Sequence, residues 1–267
     1  NVSFYASTLT NASLTDAQVT GANFQHTTSR GFTKEQLYST ASYKSGDLRG
    51  ISLGYNDLTG WNLANQNLTE AEFYSATLTN ADLSGADTRG GIDLTTAQLA
   101  KAVTNGTIRP DGRIAGLNLL AGHTLPIRDY DGGIAITVDD AMTLAAGSIV
   151  DIILADATWG STITLAGGFT PDLGGTLRLG FAPGTDPLSL VGTTFDLFNW
   201  NDLLTPGDQF GQLLSLPGYQ WDLANLYTTG EVTFTAVPEP ATAGLLVLGG
   251  LLLARRRRIL HSLEGTR

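Results

Sequence analysis

Large apolar residues recur at every fifth position in two stretches of the N-terminal third of the chain. The residues between them are mostly small or polar. Neither an α-helix, with 3.6 residues per turn, nor a flat strand, with a period of two, produces this spacing. The pattern therefore predicts a stack of short repeats. The apolar positions are Phe4, Leu9, Leu14, Val19, Phe24, Leu48, Leu53, Leu58, Leu63, Leu68, Phe73, Leu78 and Leu83.

A small residue stands two positions before six of these apolar residues. The unit Ala81-Asp82-Leu83-Ser84-Gly85 shows the pattern and resembles the repeat of the pentapeptide-repeat family. The resemblance covers residues 2–26 and 46–90, and we assign residues 1–90 to this domain. It implies a right-handed quadrilateral β-helix with four pentapeptides per coil. The central Leu or Phe and the small residue would both point inward.

Three consecutive repeats depart from this pattern at the small position. Asn56, Trp61 and Gln66 stand where Ala stands elsewhere, and Trp61 cannot fit where Ala fits. A narrow tube has room for a layer of Leu and Phe only when the other inward residue is small. We therefore expect this part of the coil to be opened, or covered by another segment.

Two short helices are predicted from capping signals. Thr33 followed by Gln36 has the spacing of a capping box, which predicts a helical insertion over residues 31–45. Thr95 followed by Gln98 repeats the signal. We assign residues 91–109 to a capping helix and linker, because a solenoid needs a cap on its last exposed coil.

The period of five is absent from residues 110–236. Short alternating runs such as Ile134–Val138 and Thr176–Phe181 appear instead, separated by turn dipeptides such as Gly174-Gly175 and Pro183-Gly184. This pattern predicts a second β-rich domain, either a sandwich or an irregular solenoid. The expected fold class is therefore all-β, with short helical insertions and a hydrophobic helix at the C-terminus.

The C-terminal segment, residues 237–267, has the pattern of a membrane-inserting tail. Pro238-Glu239-Pro240 precedes an uncharged run over residues 241–254, predicted as an apolar helix, and four arginines follow. The run is short for a full membrane span, so a helix docked on the domain is the alternative. The arginines favour the cytoplasmic side of a membrane. They are Arg255, Arg256, Arg257 and Arg258.

The order of these elements resembles the PEP-CTERM sorting tail of Gram-negative, biofilm-forming bacteria. The resemblance implies that the membrane enzyme exosortase recognises Pro238, Glu239 and Pro240 as the sorting motif. It also implies that Arg255–Arg258 stop transfer through the inner membrane. The protein would be held there transiently, cleaved near the motif, and delivered to the cell surface or extracellular matrix.

Composition and charge exclude several functions. The chain has no cysteine, and its three histidines show none of the spacings of a zinc site. Residues 110–236 carry 14 acids and 3 bases, which argues against nucleic-acid binding. No motif of a hydrolase or a nucleotide-binding enzyme occurs. We therefore expect neither a cofactor nor a metal, and no enzymatic activity.

These observations predict an exported structural or adhesive protein of the extracellular matrix. Its expected partners are exosortase, the membrane, and matrix polysaccharide or other matrix proteins. The alternative is a carbohydrate-binding or polysaccharide-active protein that uses the second β domain. Asp196, Trp200 and Asp202 would then cluster in one cleft. Trp200, Trp221 and Tyr227 are otherwise expected to be core or end-capping aromatics.

Overall fold

The structure of the protein, a computed structural model, describes residues 2–236. Within these residues it contains three short α-helices, two 3₁₀ helices and eleven strands. The helices are α1 (Lys34–Ser39), α2 (Ala41–Lys44) and α3 (Thr96–Leu99), with 3₁₀ helices at Thr28–Arg30 and Pro187–Leu190. The strands are β1 (Arg113–Leu119), β2 (Thr124–Arg128), β3 (Ile136–Leu144), β4 (Ile149–Leu154), β5 (Ile163–Leu165), β6 (Thr176–Phe181), β7 (Thr194–Asp196), β8 (Phe198–Asn199), β9 (Gln212–Ser215), β10 (Gln220–Asp222) and β11 (Glu231–Ala236).

The region with a period of five folds as a stack of coils held by single parallel bridges. Asp47 pairs with Asn67, and Asn67 pairs with Asp87, so one coil takes 20 residues. Every fifth residue turns a corner with positive φ, as at Glu70 (59°) and Gly85 (65°). The central leucines lie buried between these corners. Twenty residues and four corners per coil confirm the β-helical reading of the repeats.

The predicted helical insertion lies inside the stack as part of a coil. The bridge from Asn23 to Ser52 spans 29 residues because α1 and α2 lie between them. The capping box expected at Thr33 and Gln36 is present. The Gln36 side chain also donates hydrogen bonds to the carbonyl oxygens of Leu9 (2.8 Å) and Ala12 (2.7 Å) in the preceding coil. One glutamine therefore starts the helix and fixes it to the stack.

The three bulky inward residues face this helical coil, which is the covering segment predicted from the sequence. Trp61 is buried and packs edge-on against Phe32, with ring centroids 5.5 Å apart. Gln66 donates to the carbonyl oxygen of Tyr43. Asn56 accepts hydrogen bonds from the backbone N–H groups of Thr27 and Thr28, just before the insertion. A coil made of helices leaves more room than a coil of pentapeptides, and these side chains fill it.

The second capping signal also marks a helix. Gln98 accepts from the Thr95 backbone N–H and donates to the carbonyl oxygens of Phe73 (3.1 Å) and Ala76 (3.0 Å). This is the same arrangement that Gln36 makes. Helix α3 lies in the last coil of the stack, where Val103 bridges to Asp82 and Ile108 bridges to Asp87.

The second β-rich region is a solenoid of two parallel sheets. One sheet has the order β1-β3-β5-β8 and the other has the order β2-β4-β6-β9, so strands β1 to β6 alternate between them. Parallel pairing with this alternation decides between the two predicted alternatives, because sandwiches of this size are built from antiparallel hairpins. A small antiparallel sheet, β10-β11-β7, packs at the C-terminal end.

Trp200 lies buried in the core of this region, while Trp221 and Tyr227 pack against that core half-buried. Their predicted role as core or end-capping aromatics is confirmed. None of the helices in residues 2–236 has the length and apolar character needed to span a lipid bilayer. The predicted apolar helix over residues 241–254 lies outside the described residues.

Candidate functional site

One side of the pentapeptide stack is partly covered by the second solenoid. On this side Asp47, Asn67 and Asp87 form a ladder, and the residues two positions later are Arg49, Thr69 and Arg89. Arg89 and Thr69 are buried, whereas Arg49 is exposed. The cover therefore ends between the coils of Thr69 and Arg49, and a groove opens there.

Arg89 joins the two solenoids under the cover. Its guanidinium forms an ion pair with Asp87, with Nη2 2.6 Å from Oδ2, and both side chains are almost fully buried. The remaining donor positions reach the second solenoid: Nη1 donates to the Ile134 carbonyl oxygen and to Ser161 Oγ, and Nη2 donates to the Arg128 carbonyl oxygen. Its Cζ lies 4.9 Å from the centroid of the Tyr130 ring. Arg89 therefore positions the end of β2 and the loop after it.

The junction groove is the pocket at the edge of this cover. Its volume is about 400 Å³. Arg49 and Asp47 form an ion pair at its rim, with Arg49 Nε 2.9 Å from Asp47 Oδ1. Arg128, the last residue of β2, reaches into it, and Ile153, which pairs with Arg128 in the sheet, forms its wall. The lining residues are Gln18, Ser45, Asp47, Arg49, Asn67, Arg128, Asp129, Ile153, Ala155, Ala182 and Pro183.

Arg128 is a half-buried cation at this groove. Its Nη1 is buried and has no hydrogen-bond partner within residues 2–236, and Arg128 belongs to none of the ion pairs formed there. Burial lowers the pKa of Arg128, against the attraction of Asp87, Asp47 and Asp151.

Each of the three carboxylates around Arg128 already has its own arginine. Asp87 pairs with Arg89 and Asp47 pairs with Arg49, as described above. Asp151 pairs with Arg178, whose Nη2 lies 2.6 Å from Asp151 Oδ2. Arg128 therefore pairs with none of them, although the two arginines and two aspartates of the groove lining balance in charge. Its buried Nη1 is the group that lacks an acceptor within residues 2–236, and a buried donor without an acceptor costs free energy.

A second pocket of about 370 Å³ continues from the groove and shares Arg49, Asp129 and Ala155 with it. Its lining adds Tyr130 and the carboxylates of Glu70, Asp131 and Asp156, so it is rich in acceptors. Burial and the nearby Glu70 carboxylate raise the pKa of Tyr130, although Arg89 opposes this shift. Hydrogen bonds from Thr158 lower the pKa of Asp156.

The acceptors of this second pocket do not form a metal site. Asp129 Oδ1 accepts a hydrogen bond from the Gly160 backbone N–H at 2.7 Å. Within the part of the chain that the structure describes, no three histidine, cysteine or acidic side chains are grouped so that they could hold a metal ion. The pocket therefore offers acceptor oxygens to hydroxyl or amino groups.

Of the candidate site residues singled out in the sequence, those that the structure describes do not line the groove. Pro238, Glu239, Pro240 and Arg255–Arg258 lie outside the described residues, so the sorting motif stays a prediction. Asp196 and Asp202 are exposed, but the Trp200 ring is buried and its Nε1 donates to the Leu226 carbonyl oxygen at 2.7 Å. Trp200 therefore cannot offer its ring to a sugar, and the cleft that the carbohydrate-binding alternative required does not form around it.

Sequence reasoning missed Arg49, Arg89 and Arg128. One signal was available, because Asp47-Leu48-Arg49 and Asp87-Thr88-Arg89 repeat the same Asp-x-Arg pattern 40 residues apart. With 20 residues per coil, that separation places both pairs on one side of the stack. Nothing in the sequence shows which of the pairs becomes buried.

The comparisons with known proteins agree with this description of the N-terminal region. Residues 47–87 match the family model described as pentapeptide repeats, in 8 copies. The chain contains pentapeptide repeats. No curated protein and no solved structure matches it. The matched pentapeptide repeats begin at Asp47 and end at Asp87, so they carry both acidic partners of the Asp-x-Arg pairs described above.

Proposed function

We propose that this protein is an exported structural or adhesive protein of the cell surface or extracellular matrix, without enzymatic activity. The observation that supports a structural role most directly is the buried Arg89–Asp87 ion pair, because Arg89 also bonds three groups of the second solenoid. Parallel ladders satisfy the backbone of each solenoid, and this cluster ties the two together. Two solenoids tied together in this way suit a load-bearing or spacing role.

The sorting part of the proposal rests on the sequence of the tail. Pro238-Glu239-Pro240, the uncharged run and Arg255–Arg258 have the order of an exosortase substrate. The proposed partner is therefore exosortase. The protein would be anchored transiently in the inner membrane of a Gram-negative bacterium and then released to the surface or matrix.

The test is the mass and location of the protein in an exosortase-positive host and in an exosortase-null strain. The expected result is loss of a segment that includes Arg255–Arg258 in the positive strain alone, with the shortened protein in the surface or matrix fraction. A Glu239→Gln variant, which changes the motif and leaves the apolar run intact, should remain uncut. An uncut wild-type chain in both strains contradicts exosortase processing.

A second candidate function is saccharide binding, favoured by the mixed donors and acceptors of the junction groove. Glycoside hydrolysis needs two carboxyl groups free to act as acid and as base or nucleophile. In the groove Asp47 is held by Arg49, and Asp129 accepts from the Gly160 backbone N–H. The candidate is therefore a binding function rather than a hydrolytic one.

A further inference from the structure

Arg128 Nη1 is a buried donor of the junction groove that has no acceptor within residues 2–236. A buried guanidinium nitrogen without an acceptor is destabilising unless a ligand supplies one. A carboxylate is the group that matches the planar fork of guanidinium donors best. The groove therefore has the chemistry to receive one carboxylate at Arg128.

The other walls suit a hydroxylated ligand. Gln18, Ser45 and Asn67 place amide and hydroxyl groups on the side of the pentapeptide repeats, while Ile153 and Pro183 form an apolar wall opposite. A pyranose ring has this combination of polar edge and apolar face. The volume of about 400 Å³ lies within the range of small-ligand sites, which begins at about 300 Å³.

The adjoining pocket determines which part of a longer ligand would lie at Arg128. Its carboxylates, from Glu70, Asp131 and Asp156, would repel a second acidic group and accept hydrogen bonds from neutral hydroxyls. The Tyr130 side chain adds an aromatic surface there. A chain that passes both pockets would place its acidic residue at Arg128 and a neutral residue beside Tyr130.

We propose that the junction groove binds a uronic acid residue of an acidic polysaccharide, with the sugar carboxylate on Arg128. The choice of a saccharide as the bearer of the carboxylate rests on the proposed matrix function. The choice of a carboxylate rests on Arg128 alone. Arg89 is a positioning residue for this site, since it holds the backbone carbonyl of Arg128.

The test is calorimetric titration of the full-length chain with D-glucuronate, D-glucose and acetate. Glucuronate and glucose differ only in the carboxylate, and acetate presents a carboxylate without hydroxyls. Measurable binding of glucuronate is expected, with glucose and acetate each at least about tenfold weaker. Equal binding of glucose overturns the role of the carboxylate, and equal binding of acetate overturns the role of the hydroxyls. No binding of glucuronate overturns the proposal.

An Arg128→Gln variant should weaken glucuronate binding at least about tenfold. Its melting temperature should not fall, because the substitution removes a buried nitrogen that has no hydrogen-bond partner within residues 2–236. Arg113→Gln is the matched control, because Arg113 pairs with Asp139 and lies outside the groove. This variant should bind glucuronate like the wild type. A lower melting temperature for Arg128→Gln with unchanged binding would assign Arg128 a structural role and overturn the proposal.

The two proposals fail separately. A chain that is cut and delivered to the surface but does not bind glucuronate contradicts the groove assignment and leaves the sorting proposal standing. A chain that binds glucuronate but is never cut contradicts exosortase processing and leaves the groove assignment standing.

Discussion

The Arg89 guanidinium and the Asp87 carboxylate form an ion pair in which the side chains are 0% and 1% exposed. Two coils earlier, Arg49 and Asp47 form the same pair from the same positions of the repeat, but their side chains are 58% and 33% exposed. The two pairs differ in what lies over them. The second solenoid covers Arg89 and stops short of Arg49.

This difference predicts unequal effects on stability. Arg89→Met leaves Asp87 buried without its partner and removes the three bonds to the second solenoid, so a loss of about 3–5 kcal/mol is expected. Arg49→Met breaks an exposed pair and should cost less than about 1 kcal/mol. Urea denaturation followed by circular dichroism measures both. Similar losses for the two variants would show that burial does not set the strength of the pair.

The hydrogen bonds of Asn56 lead to a second prediction about stability, at the contact between the pentapeptides and the inserted helices. Its Oδ1 accepts from the backbone N–H groups of Thr27 (2.8 Å) and Thr28 (2.9 Å), and its Nδ2 donates to the carbonyl oxygens of Phe24 and Leu53. Asn56→Ala restores the small residue of the repeat pattern but leaves the backbone N–H groups of Thr27 and Thr28 and the Leu53 carbonyl oxygen without this partner. A loss of about 3 kcal/mol or more is expected in the same denaturation experiment.

Gln66→Ala is the control for Asn56→Ala. Gln66 occupies the equivalent position two repeats later, but its Nε2 makes one hydrogen bond and its Oε1 is buried without a partner within residues 2–236. Its replacement should cost less than half as much as that of Asn56. If both variants lose equal stability, filled volume rather than hydrogen bonding explains the bulky inward residues.

The raised pKa of Tyr43 predicts a loss of stability at alkaline pH. Burial, followed by the neighbouring Tyr38 and Asp82, raises the pKa of Tyr43 to about 12. A raised pKa in the folded state contributes stability that is fully present below the unfolded value of about 10 and is lost as the pH rises through about 12. Tyr43 is half-buried, so solvent screening reduces the effect to about 1 kcal/mol.

The measurement for Tyr43 is the free energy of unfolding at pH 9 and at pH 12, compared with a Tyr43→Phe variant. Tyr43→Phe removes the hydrogen bond from the hydroxyl to the Asn62 carbonyl oxygen and should cost about 1 kcal/mol at pH 9. Its stability should then fall less between the two pH values than that of the wild type. An identical fall would show that other groups cause the alkaline loss.

Much of the N-terminal fold could be predicted because its causes are local. The spacing of Leu48, Leu53 and Leu58 sets the repeat, and the Thr33 and Gln36 side chains cap a helix from within four residues. Even the misfit of Trp61 pointed to a covering segment. The hydrogen bonds from Gln36 to the preceding coil could not be predicted, because their acceptors, Leu9 and Ala12, are more than twenty residues away in the sequence.

The candidate site could not be predicted, because its residues come together only through long-range packing. Arg89 meets Ser161 across 72 residues, and Arg128 gains its position from the carbonyl that Arg89 holds. The cleft that the carbohydrate-binding alternative required at Asp196, Trp200 and Asp202 does not form, because the Trp200 ring lies in the core, as the favoured prediction had it. An indole ring can pack in a hydrophobic core or against a sugar ring, and the sequence does not distinguish the two roles.

The sequence by itself determined the repeat of five, the two capped helices and the strand-rich character of residues 110–236, because side-chain size and short-range hydrogen bonds specify these features locally. Only the tertiary structure decided that the second region is a parallel solenoid, which Asp-x-Arg pair is buried, and where a groove opens. These depend on strand pairing and domain contact between distant residues, whose free energies no local pattern contains.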